Sequence, residues 1–183
     1  MSHLPSKPPI ATARWARIKL FAMDVDGVLT DGTVIVSSDG TEAKAFSVLD
    51  GLGLARLRDH GVALAWISGR LSGATTKRAE ELRIPHLVQG RHDKANALKE
   101  LVTALGVERD AFCYMGDDDI DVGAMLLAGI GIAPPASMPA ALAAADYITT
   151  LPAGRGAVRE VCNLILHARG IVPAHTTPAS TAR

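Results

Sequence analysis

The stretch Phe21–Gly32 reads FAMDVDGVLTDG. Its first residues close an apolar run, Ile18 to Met23, that predicts a buried strand. Asp24, Asp26 and Asp31 follow at once. Like charges this close repel and raise one another's pKa unless a cation or hydrogen-bond donors stand between them. A turn alone accounts for Asp and Gly behind a strand. A site for a metal and a phosphate accounts for them equally, so the rest of the chain has to decide.

Outward from this stretch, strands and helices alternate. Thr33–Phe46 predicts a β-hairpin, with Val34 to Val36 going out, Asp39-Gly40 at the turn and Glu42 to Phe46 returning. A helix follows, with Asp50 placed to cap it and Gly61 to end it. Val62–Ile67 is a continuous apolar run, as expected of a parallel strand buried on both faces. A helix from about Leu71 to Arg83, a short strand in HLVQG, a helix from Lys94 to Leu105 and a strand at Ala111–Gly116 come next. The remaining pattern is a helix to about Leu127, strand GIGIA, a short helix, strand DYITT and a last helix from about Gly156 to Ala168. This order predicts an α/β fold: a doubly wound, mostly parallel, Rossmann-like sheet with helices on both faces and an inserted hairpin.

The chain has 183 residues, 48% hydrophobic and 21% charged, with a formal net charge of +0. That length suits one domain. We place it at 15–170, between loose Pro- and Ser-rich tails at 1–14 and 171–183. Zero net charge gives no global field for nucleic acid or anionic membrane. Val122–Ala145 carries no charged residue. It is interrupted by Gly129, Gly131, Pro134, Pro135 and Pro139, so it reads as helix, strand, loop and helix, and no membrane association is expected. No apolar signal segment opens the chain. Cys113 and Cys162 show no ligand spacing and read as buried free thiols, in keeping with a cytoplasmic protein.

In doubly wound folds ligands bind beyond the carboxyl ends of the strands. There the chain places Asp24 and Asp26, then Ser68, Gly69 and Arg70, then Lys94, then Gly116, Asp117, Asp118, Asp119 and Asp121. Four segments thus bring acids, a hydroxyl and two bases to one edge. Asp117 to Asp121 could be an acidic helix cap, but a cap needs one acid and this run has four. His92 has no second His at ligand spacing and reads as a solvent or hydrogen-bonding residue. Trp15 and Trp66 read as packing.

The set DVDGVLT, ISGR, the lysine of HDKANAL, and GDDDID resembles the haloacid dehalogenase superfamily of phosphatases. That resemblance implies Mg²⁺ held by the carboxylates of Asp24 and Asp117 and the backbone carbonyl of Asp26. It implies an aspartyl-phosphate formed on Asp24, with Asp26 as acid and then base. Ser68 and Lys94 would hold the transferring phosphoryl group, and Asp118 and Asp121 would support the metal site from behind. Thr30, Gly69, Arg70 and Arg155 are the candidates for contact with the rest of the substrate.

Cap domains in this superfamily lie after the first motif or between the second and third. Here those gaps hold only the hairpin and one helix with a short strand, so no cap domain is expected. The chain resembles the capless branch that contains the phosphatases of 3-deoxy-D-manno-octulosonate 8-phosphate, through KAFSVLDGLG, LVQGRHDK, ADYITT and GRGAVREVCNLIL. The branch implies a small phosphorylated sugar acid as substrate and a homotetramer joined through hairpin 33–46. Leu49 and Leu71 stand where the family commonly carries basic residues. The branch also holds phosphatases of other sugar acids and proteins described as phenylphosphate carboxylase subunits, so an auxiliary role in a larger complex is the competing expectation.

Overall fold

The computed structural model describes residues 9–171. Six strands form one sheet: β1 (Leu20–Met23), β4 (Ala63–Ser68), β5 (His86–Gln89), β6 (Phe112–Met115), β7 (Ile130–Ala133) and β8 (Tyr147–Ile148), in the order β5-β4-β1-β6-β7-β8. Every pairing in it is parallel. The chain winds outward from β1 to β5, then crosses back to β6 on the other side of β1. The carboxyl ends of β4, β1 and β6 therefore lie side by side at the reversal, where a doubly wound sheet opens a crevice.

Side-chain alternation sorts the strands onto two cores. Phe21 and Met23 of β1 face one layer with Trp66, Cys113 and Met115; helices α2 (Val48–Asp59) and α7 (Ala157–Ala168) cover it through Leu54, Leu57, Val161 and Ile165. Leu20 and Ala22 face the other layer with Ile67 and Tyr114, covered by α4 (Lys94–Leu105), α5 (Val122–Leu127) and α6 (Pro139–Ala144). Burying side chains of this size contributes about 1.5–3 kcal/mol each. Cys113 on β6 and Cys162 on α7 are both fully buried in the first layer, where burial pushes both thiols above the ordinary 9.0.

Most elements fall where the sequence pattern puts them. Helix α3 (Gly73–Leu82) is capped by Ser72, whose hydroxyl accepts from the Thr75 N–H, and α4 stops on Gly106. The uncharged Val122–Ala145 stretch becomes α5, β7 and α6. Among the described residues no helix is long and apolar enough to cross a membrane.

Three details differ. Helix α1 (Thr12–Ala16) begins inside the expected tail, because Trp15 is buried edge-on against Tyr147 at 5.5 Å. Residues 1–8 and 172–183 of the expected tails lie outside the described residues. The hairpin is a separate two-stranded sheet of only two pairs, β2 (Ile35–Val36) on β3 (Glu42–Ala43). Asp50 does not cap α2: Ser47 does, accepting from the Asp50 N–H at 3.3 Å. The buried Asp50 carboxylate accepts from the N–H groups of Gly156 (3.2 Å) and Arg159 (2.8 Å), and so closes the start of α7 from across the fold.

Candidate active site

The first carboxylates leave β1 on a tight turn. The Val25 carbonyl accepts from the N–H groups of Leu29 and Thr30, at 2.9 and 3.2 Å. Val25 itself is buried in the core. Its two neighbours, Asp24 and Asp26, line a cavity of about 160 Å³. Ser68 ends β4, Lys94 opens α4, and Asp117 follows β6 by two residues; all three line the same cavity, with Gly69, Arg70, His92, Asp118 and Ile120. Arg70, His92, Asp118 and Ile120 are exposed at its rim, so the cavity opens to solvent.

At its floor, Lys94 is 1% exposed. Its ammonium lies 2.8 Å from Asp24 Oδ2 and 2.8 Å from Asp121 Oδ1. Asp121 has no free oxygen: Oδ1 also accepts from Tyr114 Oη at 2.7 Å, and Oδ2 accepts from the N–H groups of Asp117 and Asp118, both at 3.2 Å. It therefore braces the loop that carries Asp117. Gly116 permits this, since a Cβ there would sit 2.3 Å from the Asp121 Cβ. Asp118 caps the following 3₁₀ turn, accepting from Asp119.

Oxygens of Asp24, Asp117 and Asp121 lie within 4.8 Å of one another. Three buried or half-buried carboxylates face one ammonium, which leaves excess negative charge in a poorly solvated place. Burial, with Asp121 adding to it, pushes the Asp24 carboxyl well above the usual carboxylate range, and Lys94 offsets only part of this. The same causes raise Asp117 to about 7. Burial alone would lower Lys94, but Asp24 and Asp121 outweigh it and hold the ammonium charged. The Asp117 Oδ1 atom is buried with no hydrogen-bond partner. Gly27, at φ +84°, leaves the room that this carboxylate fills, since a Cβ there would lie 2.1 Å from Asp117 Oδ2. An orphaned oxygen, a hard all-oxygen donor set and uncompensated charge fit a divalent cation. Asp24 and Asp117 are the side chains with capacity to hold it, because Asp121 is already saturated.

Asp26 is built differently. The Lys44 ammonium lies 2.7 Å from its Oδ1 and 2.9 Å from its Oδ2, and donates also to Thr75 Oγ1 at 3.3 Å. Glu42, on the same side of the returning hairpin strand, accepts from Arg70 at 2.8 Å and from Ser72 Oγ at 2.5 Å. Ser68 Oγ, nearly inaccessible, accepts from the Arg70 N–H at 3.1 Å.

Two of the substrate candidates lie elsewhere. Thr30 is fully buried; its Oγ1 accepts from the N–H groups of Gly27 and Gly32, so it shapes the loop and cannot reach a ligand. Arg155 lines a separate cavity of about 360 Å³ with Asp31, Phe46, Ser47 and Leu49. Read from the sequence, Lys44, Glu42 and Tyr114 have no role, although Lys44 opens the KAFSVLDGLG stretch, and His92 has only a solvent or hydrogen-bonding one. His92 sits on the wall beside Gly69, where a Cβ would lie 3.0 Å from its Nδ1.

The model of the haloacid dehalogenase-like hydrolase family matches residues 83–161. The chain is 42% identical over 156 residues to the 3-deoxy-D-manno-octulosonate 8-phosphate phosphatase of Yersinia pestis, covering 85% of this chain and 83% of that protein. It is similar to the crystal structure of the Moraxella catarrhalis phosphatase of the same name, in complex with a magnesium ion, a phosphate ion and a KDO molecule. There the TM-score is 0.85, the identity 50%, and the coverage 87% of this chain and 91% of that one. The cobalt-bound phosphatase of Haemophilus influenzae matches with a TM-score of 0.83 at 34% identity, over 86% of this chain and 92% of that one.

Proposed function

The chain belongs to the haloacid dehalogenase-like hydrolases, in the branch of the 3-deoxy-D-manno-octulosonate 8-phosphate phosphatases, and on that footing we propose that it is a Mg²⁺-dependent phosphatase of 3-deoxy-D-manno-octulosonate 8-phosphate working through an aspartyl-phosphate. The observation that carries this reading is the floor of the cavity: Asp24 held by Lys94, and Asp117 with a buried oxygen that nothing satisfies. Asp24 and Asp117, with the Asp26 backbone carbonyl, would hold the ion. When bound, Mg²⁺ neutralises the carboxylates and the phosphate dianion that share the cavity.

The chain's own residues supply the rest. Lys94 fixes the Asp24 carboxylate through Oδ2, which leaves Oδ1 as the attacking oxygen. Asp24 Oδ1 bonds to phosphorus as the bond to the leaving oxygen breaks, and Asp26 gives that oxygen a proton. Asp26 then takes a proton from the water that hydrolyses the aspartyl-phosphate. Ser68 and Lys94 stand at the cavity wall to hold the transferring oxygens.

Selectivity for the sugar acid rests on the rim. Arg70 and His92 are its basic side chains; the exposed Leu49 lines the cavity of Arg155 instead. The exposed Ile35 and Val36 of the hairpin, with Val48 and Leu49 beside it, support assembly into a homotetramer. The test is turnover of a panel: p-nitrophenyl phosphate, 3-deoxy-D-manno-octulosonate 8-phosphate and a nine-carbon sugar-acid phosphate, each with Mg²⁺. The eight-carbon substrate should lead in kcat/KM. Preference for the nine-carbon acid would replace the substrate assignment, and no turnover of any would leave an auxiliary subunit.

A further inference from the structure

The hairpin between β1 and α2 does more than extend the surface. We infer that Lys44, the residue that follows its returning strand, is the positioning residue of Asp26, and that it holds this carboxylate in the orientation from which it protonates the leaving oxygen. The inference rests on the reading of Asp26 as the acid of the phosphatase reaction.

Within a cluster that also holds Glu42, 3.8 Å from the Lys44 ammonium, and Arg70, the shortest ion-pair distance is that of Lys44 to Asp26. The Lys44 side chain is 0% exposed, and Asp26 is 19% exposed and lines the cavity. Both Asp26 oxygens lie within 2.9 Å of the one ammonium. Thr75 Oγ1, fully buried at the start of α3, fixes the ammonium from the other side at 3.3 Å. Asp26 stands on a tight turn, with no strand neighbour to set its side chain; the Lys44 ammonium is its nearest charged partner, with Arg70 Nε farther off at 3.9 Å from Oδ2. A desolvated ion pair is a poor way to anchor a hairpin with only two ladder pairs, because apolar packing would hold it at lower cost. The same strand face repeats the arrangement one step away, where Glu42 holds Arg70 and Ser72. Ala43, between them, points to solvent. The returning arm of the hairpin thus turns a lysine and a glutamate onto the acid/base carboxylate and the rim arginine.

A positioning role has a kinetic signature that mere stabilisation lacks. The parameter kcat/KM counts steps only up to formation of the aspartyl-phosphate, in which Asp26 is needed as an acid. A nitrophenolate leaves without a proton, whereas a sugar alkoxide does not. Lys44→Met should therefore lower kcat/KM for the sugar-acid phosphate by about tenfold or more, within the range of acid catalysis, and for p-nitrophenyl phosphate by less than about threefold. Asp26→Asn should show the same selectivity, and Lys44→Met added to it should change the ratio no further. If Lys44→Met does not fold, Thr75→Val, which frees one side of the ammonium, should shift the ratio in the same direction. Equal losses on both substrates, or none, in a folded Lys44 or Thr75 variant would overturn the inference while Asp26→Asn keeps its selectivity. An Asp26→Asn variant without selectivity would overturn the reading of Asp26 itself, and the role of Lys44 with it.

Discussion

Asp24 and Asp117 enter the protein as charges that Lys94 cannot balance alone, and each makes a distinct prediction. Asp24→Asn keeps the size of the side chain and removes one charge from an over-filled cluster, so the variant should fold and melt no lower than the metal-free parent. Its turnover should fall at least ~10³-fold, as loss of a covalent nucleophile does, and assay of p-nitrophenyl phosphate hydrolysis checks this. Asp117→Asn should leave the nucleophile in place but raise the Mg²⁺ concentration needed for half-maximal activity by about tenfold or more. Thermal melting gives a second readout: an ion at ~100 times its dissociation constant stabilises the parent by about 2.7 kcal/mol, and the Asp117→Asn variant should lose most of that rise. A parent that melts identically with EDTA and with Mg²⁺ would refute the cation site. Asp24, Ser68, Lys94 and Asp117 were legible because each stands at the end of a strand or the start of a helix. The pairing of Lys44 with Asp26 was not, although Lys44 opens the KAFSVLDGLG stretch, because 18 residues separate the two and only the folding back of the hairpin joins them.

At the scale of elements, period-two and helical patterns located the strands and helices well. The longer-range ties between them were invisible. Asp50 stands in the first turn of α2, where an acid reads as a local cap, yet its oxygens serve α7. Glu160 is a similar tie in the opposite direction. It accepts from Tyr147 Oη at 2.7 Å, Thr150 Oγ1 at 2.7 Å and the N–H of Leu151 at 3.0 Å, fastening β8 and the loop behind it to α7. Burial pushes its carboxyl up, but these hydrogen bonds outweigh burial and hold it below the ordinary 4.5. A carboxylate with a lowered folded pKa stabilises the fold above its unfolded value and loses that contribution as pH falls through the folded one. Glu160→Gln should therefore cost about 1–2 kcal/mol at neutral pH, solvent screening included. It should also flatten the fall of melting temperature below pH 4.5. An unchanged acid limb in the variant would count against Glu160 as its source.

For the whole molecule, strand–helix alternation made the parallel sheet legible, and the position of the motifs at its carboxyl edge made the site legible. What covers the apolar hairpin is an expectation from the branch resemblance, a homotetramer joined through 33–46. The residues alone do not name the cover, because β-branched residues in a short strand look alike whether they meet a core or a second subunit. Ile35 is 59% and Val36 66% exposed, on a hairpin too short to be stable by itself. Replacing both with Lys should convert the proposed tetramer to smaller species in sedimentation at micromolar concentration. A parent that sediments as a monomer would contradict the assembly. The buried pair Cys113 and Cys162 makes such experiments easier to read. These are the chain's 2 cysteines, and neither presents a thiolate to the surface. The native protein is in effect blank to maleimide, so a single cysteine introduced at a rim or hairpin position would accept a fluorophore or spin label with no wild-type residue first having to be removed.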